Sequence, residues 1–176
     1  MKSLSKTYKD FTLKARATNF VQLEDLLTSC GALFLGVDEQ KDTYFQTDKG
    51  KLKLREGTIE NLITHYERIL EDGIERTVVY RYDVNPSAIE IENLITNFKT
   101  IGTVEKKRSI YVLDIHKIHL DRLDQGDFLE IESIDREEKF TTEELRKRCL
   151  ELKEKLGIAD GDLVPTGYFR NLHLRQ

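Results

Sequence analysis

The stretch KLKLRE, residues 51 to 56, sets Lys51, Lys53 and Arg55 on one side of an extended chain and Leu52 and Leu54 on the other, because side chains alternate faces along a strand. The same division recurs far away in the sequence. In DFTLKAR, Asp10, Thr12, Lys14 and Arg16 oppose Phe11, Leu13 and Ala15; in LITHYERIL, Tyr66 and Arg68 oppose Ile63 and Ile69. In KIHLD, Lys117, His119 and Asp121 oppose Ile118 and Leu120, and in FLEIES, Glu130 and Glu132 oppose Leu129 and Ile131. VEKKRSIYV is mixed, with Lys106 and Arg108 on the side of Val104 and Ile110. For one strand alone, a charged face is most simply a wet outer face. Six such strands in one chain need an account of where their apolar faces go.

Three helices supply it. Asn19 to Cys30 has Asn19 as cap and Gly31 as stop; Pro86 to Phe98 follows Asn85 with a first-turn proline; Thr142 to Leu156 ends at Gly157, with Thr141 and Glu144 at capping-box spacing. Each carries an apolar stripe, such as Leu23, Leu26 and Leu27 or Ile91, Leu94, Ile95 and Phe98, and must pack it on something. The Leu and Ile faces of the strands are the available surface, so in a closed sheet the apolar side is the outside and the charged side the lumen. Strands are expected at roughly 10–17, 42–46, 51–56, 62–70, 76–83, 103–113, 115–121 and 127–134. Short connections make neighbours antiparallel. The expectation is an α+β chain, 1–176, forming one domain: a closed eight-stranded antiparallel barrel with a charged lumen and helices packed outside.

Composition narrows the partners. Lys and Arg number 28 against 32 Asp and Glu, a formal net charge of -4, which argues against a broad basic surface for nucleic acid. No apolar run approaches a membrane span and the N-terminus lacks a signal-peptide core, so the sequence reads as cytoplasmic. Cys30 and Cys149 fall on helix stripes as small hydrophobes, and His65, His116, His119 and His173 show no zinc spacing. DGD at 160–162 reads as a turn rather than a calcium loop.

Cations of one sign inside a barrel are costly unless a partner neutralises them. A polyanion with a divalent ion is the natural partner. Lys and Arg would hold phosphate oxygens, while Glu130 and Glu132 suit Mg2+ or Mn2+, which prefer oxygen ligands and bridge to phosphates. A barrel carrying an apolar ligand fits such charged faces poorly.

With DFTLKARA, DTYFQTDKGKLKLRE, LITHYER, VEKKRSIY, IHLDRLDQGDFLEIE and a closing GYFRNL, the chain resembles the CYTH family of triphosphate tunnel metalloenzymes nearly end to end, most of all its class IV adenylyl cyclase-like branch. The resemblance implies an eight-stranded tunnel acting on a triphosphate with divalent metal. It implies Glu130, Glu132, Asp121 and Asp10 as metal ligands, Lys14, Lys53, Arg55, Arg68, Lys106 and Arg108 as phosphate-binding groups, and Lys14, Arg55 and Asp121 as catalytic. Arg76 and Arg81 would join the phosphate-binding groups only across a one-residue slip of register around RTVVYR, and Tyr168 belongs to the closing motif. The substrates implied are ATP, converted to cyclic AMP and pyrophosphate, or alternatively thiamine triphosphate or tripolyphosphate, bound by a monomer or homodimer. The family's ExExK signature holds Asp10, Thr12 and Lys14 here: Asp10 keeps a carboxylate on a shorter arm, and Thr12 is the departure that matters. A hydroxyl where a carboxylate is expected weakens metal binding and opens the further alternative of a non-catalytic triphosphate-binding protein.

Overall fold

The computed structural model describes residues 6–71 and 74–164. In chain order the elements are β1 (Lys6–Arg16), α1 (Phe20–Ser29), β2 (Leu33–Phe45), β3 (Lys51–Gly57), β4 (Leu62–Glu71), β5 (Ile74–Val84), α2 (Ala88–Asn97), β6 (Thr100–Leu113), β7 (His116–Leu123), β8 (Gly126–Asp135), α3 (Thr142–Lys155) and β9 (Leu163–Val164). The strands follow the order β5-β4-β3-β2-β6-β7-β8-β1, all antiparallel, and β1 returns to β5 through the pairs Lys6↔Val79 to Lys9↔Arg76. The sheet is therefore a closed eight-stranded barrel in an α+β fold. The ninth strand was not foreseen and adds to the far end of β1 through Lys14↔Val164 and Ala15↔Leu163.

The apolar core lies outside the barrel wall. Leu13, Ala15, Ile118, Leu120, Leu129 and Ile131 point outward into a cluster with Leu23 and Leu27 of α1 and Cys149 and Leu152 of α3. On the other flank, Leu52, Leu54 and Ile63 meet Leu94 of α2. Full burial of each such Leu or Ile stabilises by about 1.5–3 kcal/mol, so the helices hold the wall from without. A third, small cluster of Tyr44, Val104 and Phe128 lies on the inward alternation of β2, β6 and β8. That accounts for the mixed face of β6: Val104 joins this cluster while Lys106 and Arg108 on the same face are buried.

Strands β1, β5 and β6 begin a few residues ahead of expectation, at Lys6, Ile74 and Thr100, and two further boundaries differ for physical reasons. Helix α2 begins at Ala88, capped by Ser87 in a capping box with Glu90, and not at Pro86 after Asn85; Asn85 instead takes a left-handed φ of 50°, and Pro86 sits in the connection. Strand β2 begins at Leu33, well ahead of position 42. Its first half shows no apolar alternation because Leu33 to Leu35 are all apolar, a register shift falls between Phe34 and Gly36, and Asp38 to Lys41 are polar on both faces. The caps of α1 at Asn19 and of α3 at Thr141 are as the sequence indicates.

Candidate functional site

The inward positions line one cavity of about 170 Å³. Lys14, Lys53, Arg55, Arg68, Lys106, Arg108, Glu130 and Glu132 all stand on its wall, supplied by β1, β3, β4, β6 and β8. Alternation along each strand delivers them: residues two apart share a face, and the register sets Lys14 beside Glu130 and Thr12 beside Glu132. Two expected metal ligands are placed differently. Asp121 is fully buried, outside the cavity lining, and accepts Arg108 Nε and Nη2 at 2.7 Å each. Asp10, equally buried and also off the lining, accepts Thr77 Oγ1 at 2.6 Å. Arg76 and Arg81 are not on the wall either; Arg81 Nε donates to Asp83 Oδ2 at 2.5 Å. Tyr168 lies outside the described residues.

The lumen also holds groups that sequence reasoning missed. Asp42 is completely buried; its Oδ1 accepts Arg55 Nε at 2.8 Å, and its Oδ2 accepts Arg55 Nη2 at 2.8 Å, Lys106 Nζ at 2.9 Å and Lys53 Nζ at 3.2 Å. One carboxylate thus spaces three cations. Glu60 lines the cavity and accepts Arg55 Nη1 at 2.9 Å; His119, which the sequence set on the charged face with Lys117 and Asp121, lines it too, and its Nδ1 donates to Glu130 Oε1 at 3.3 Å. Asp42 belongs to the half-polar β2 segment and Glu60 to a turn, so neither shows the contrast of charged against apolar neighbours. A usable signal was DEQKDTY, where Asp38, Gln40, Asp42 and Tyr44 share one face.

The electrostatics follow from burial and crowding. Burial would raise the Asp42 pKa, but Lys53, Arg55 and Lys106 hold it well below the carboxylate range. Burial, then neighbouring Arg108, pushes Lys106 down to about 7 despite Asp42. Burial and Arg55 likewise lower Lys53 to about 8, and burial takes Lys14 to about 7 against the pull of Glu130 and Asp121. Glu130 is held well below its usual range: burial opposes the charge, and the His119 hydrogen bond and Arg108 overcome it. Burial and Arg108 lower the His119 pKa. Net positive potential in a cavity lined by basic side chains is a site built for an anion.

A divalent ion would find hard oxygen donors here. Glu130 and Glu132 face the cavity, and the buried Thr12 Oγ1, on the register partner of Glu132, has no hydrogen-bond partner among the described residues. Among the described residues no group of three or more His, Cys, Asp or Glu is gathered to cage a metal. Mg2+ and Mn2+ bind through one or two carboxylates and complete their shell with water and phosphate oxygens, so these residues suit an ion that arrives with its phosphates.

The CYTH domain model matches residues 11–168. No curated protein matches the chain. Among solved structures, the PH1012 protein of Pyrococcus horikoshii OT3 is similar at 28% identity and a TM-score of 0.74, covering 92% of this chain and 98% of that one. A candidate adenylate cyclase of Vibrio parahaemolyticus is 18% identical with a TM-score of 0.77, covering 94% and 98% of the two chains. The Hippeastrum protein HpAC1, with a dominant triphosphatase activity, is 14% identical with a TM-score of 0.66 over 96% of each chain. At these last two identities the likeness is one of fold.

Proposed function

This chain belongs to the CYTH domain family, and from that premise we propose that it processes a triphosphate in the presence of a divalent metal, with conversion of ATP to cyclic AMP and pyrophosphate as the leading reaction. The observation that carries the proposal is the meeting of six basic side chains with Glu130 and Glu132 around one cavity. Such chemistry is mostly positioning and charge stabilisation. The basic groups hold the phosphate chain and restrict its orientation, the arginines through paired N–H donors and the lysines as point charges. Cyclisation forms a bond from the ribose 3'-oxygen to the α-phosphorus and breaks the bridge to the β-phosphate, with the hydroxyl proton passing to solvent. Lys14 and Arg55 are proposed to neutralise the departing pyrophosphate. Asp121 is proposed to act through Arg108, which it grips with both oxygens; a metal reaches Asp121 only if that grip loosens. Held by Glu130, Glu132 and phosphate oxygens, Mg2+ or Mn2+ would supply Lewis-acid polarisation of the reacting phosphate.

Thr12 favours a second reading. With a hydroxyl beside Glu132 and Asp10 engaged by Thr77, the lumen has fewer carboxylates for metal, which suits hydrolysis of thiamine or inorganic triphosphate at low rate, or binding without turnover. The test is a product analysis with ATP, thiamine triphosphate and tripolyphosphate, each with Mg2+ or Mn2+. Cyclic AMP with pyrophosphate supports the leading reaction, and release of phosphate supports hydrolysis. Tight calorimetric binding with no product, and activity gained by Thr12→Glu, supports the binder; neither binding nor turnover of any substrate overturns the proposal.

A further inference from the structure

The lumen face of β3 presents Lys51, Lys53 and Arg55 in succession, and the β3–β4 turn then folds Glu60 back over the end of that row, 2.9 Å from Arg55 Nη1 and 3.3 Å from Gln40 Nε2. The turn is fixed from beneath. Asp38, fully buried, accepts Thr58 Oγ1 at 3.1 Å, the Ile59 amide at 2.8 Å, the Glu60 amide at 3.0 Å and Gln40 Nε2 at 2.7 Å. Gly57 admits this closeness: a Cβ there would stand 2.6 Å from Asp38 Oδ1 and 2.6 Å from the Glu60 carbonyl oxygen. Burial opposes the charge on Glu60, but Arg55, followed by His119 and Arg108, lowers its pKa. An anion is therefore held at a defined place where the cationic row of β3 stops.

Any phosphate lying beyond Arg55 meets that anion in a cavity of reduced dielectric, where like charges repel strongly. A hydroxyl or a cationic group in the same place can donate to it instead. We propose that Glu60 is a specificity-determining residue that ends the phosphate-holding row and favours a triphosphate bearing an uncharged or cationic, hydrogen-bond-donating group over a chain with a fourth phosphate. The inference rests on the lumen being a triphosphate site.

The test is titration calorimetry of inorganic tripolyphosphate and tetrapolyphosphate with Mg2+, on the natural chain, on Glu60→Gln, which keeps shape and removes charge, and on Asp38→Asn, which loosens the turn. The natural chain is expected to prefer tripolyphosphate. Glu60→Gln is expected to tighten tetrapolyphosphate about tenfold and change tripolyphosphate less than about threefold, the size of one screened like-charge contact. Asp38→Asn is expected to move the ratio the same way by less. An unchanged ratio in both variants overturns the role of Glu60 alone. Equal loss of both ligands in Glu60→Gln also overturns it, because the residue then merely steadies Arg55. A natural chain that binds neither ligand sinks the triphosphate reading, and this inference with it.

Discussion

Lys106 rests its ammonium on Asp42 at 2.9 Å, yet burial and Arg108 pull its pKa down to about 7, and burial and Arg55 take Lys53 to about 8. A bound polyanion favours the charged form of both, raising their pKa values, so binding draws protons from solvent at and above neutral pH. Affinity for tripolyphosphate is thus expected to be greatest below pH 7 and to fall as pH climbs through 7 to 9. The contribution of the same lysines to stability runs the other way: with folded values below the unfolded 10.5, the unfolded chain holds more protons in that window, and stability rises with pH. Calorimetry in two buffers of different ionisation enthalpy would register the proton uptake. Lys106→Arg, charged throughout, is expected to flatten the fall in affinity; an unaltered slope would show that Lys106 does not titrate in this range.

Helix α2 shows how far local chemistry can be read and where it misleads. Ser87 and Glu90 satisfy each other's backbone donors, so Ser87→Ala is expected to cost about 1 kcal/mol, seen as a lower urea midpoint at constant slope, whereas Asn85→Gly at the positive-φ position is expected to leave stability unchanged or raise it. Asn85 followed by Pro86 imitates a helix start, and Ser87 with Glu90 is another; the reciprocal hydrogen bonds decide between them. Strands β3, β7 and β8 were legible because an apolar outer face contrasts with a charged inner one. The first half of β2 was not, since Leu33 to Leu35 are all apolar and Asp38 to Lys41 are polar on both faces, with Glu39 and Lys41 exposed. That blind spot concealed Asp38, which fixes the β3–β4 turn, whereas Asp42 opened the expected strand but stood between the polar Lys41 and Thr43 and so showed no contrast of charged against apolar neighbours.

For the whole molecule, the consequential legible feature was the inversion of the barrel, inferred from helices that needed apolar surface. Burial of Ile131 and Leu129 at the outer wall and of Lys14 and Lys106 within it agrees with that inference. What one chain's sequence left open was which inner carboxylates remain available, because the pairing of Asp121 with Arg108 depends on the register between β6 and β7. The arrangement predicts opposite responses to substitution. Ile131→Ala opens a cavity in the outer core and is expected to lose about 2–5 kcal/mol. Lys106→Met removes a crowded cation while Asp42 keeps Lys53 and Arg55, so it is expected to be neutral or stabilising in urea while weakening tripolyphosphate. Equal losses in the two variants would contradict it.

Because helices brace this cylinder from its exterior, neighbouring residues along a strand answer to different demands. The inward positions that neither join the Tyr44, Val104 and Phe128 cluster nor pair within the lumen are released from the duty of keeping the chain folded and can drift toward new ligands. Families built this way can diversify their chemistry by rewriting the bore and leaving the casing alone.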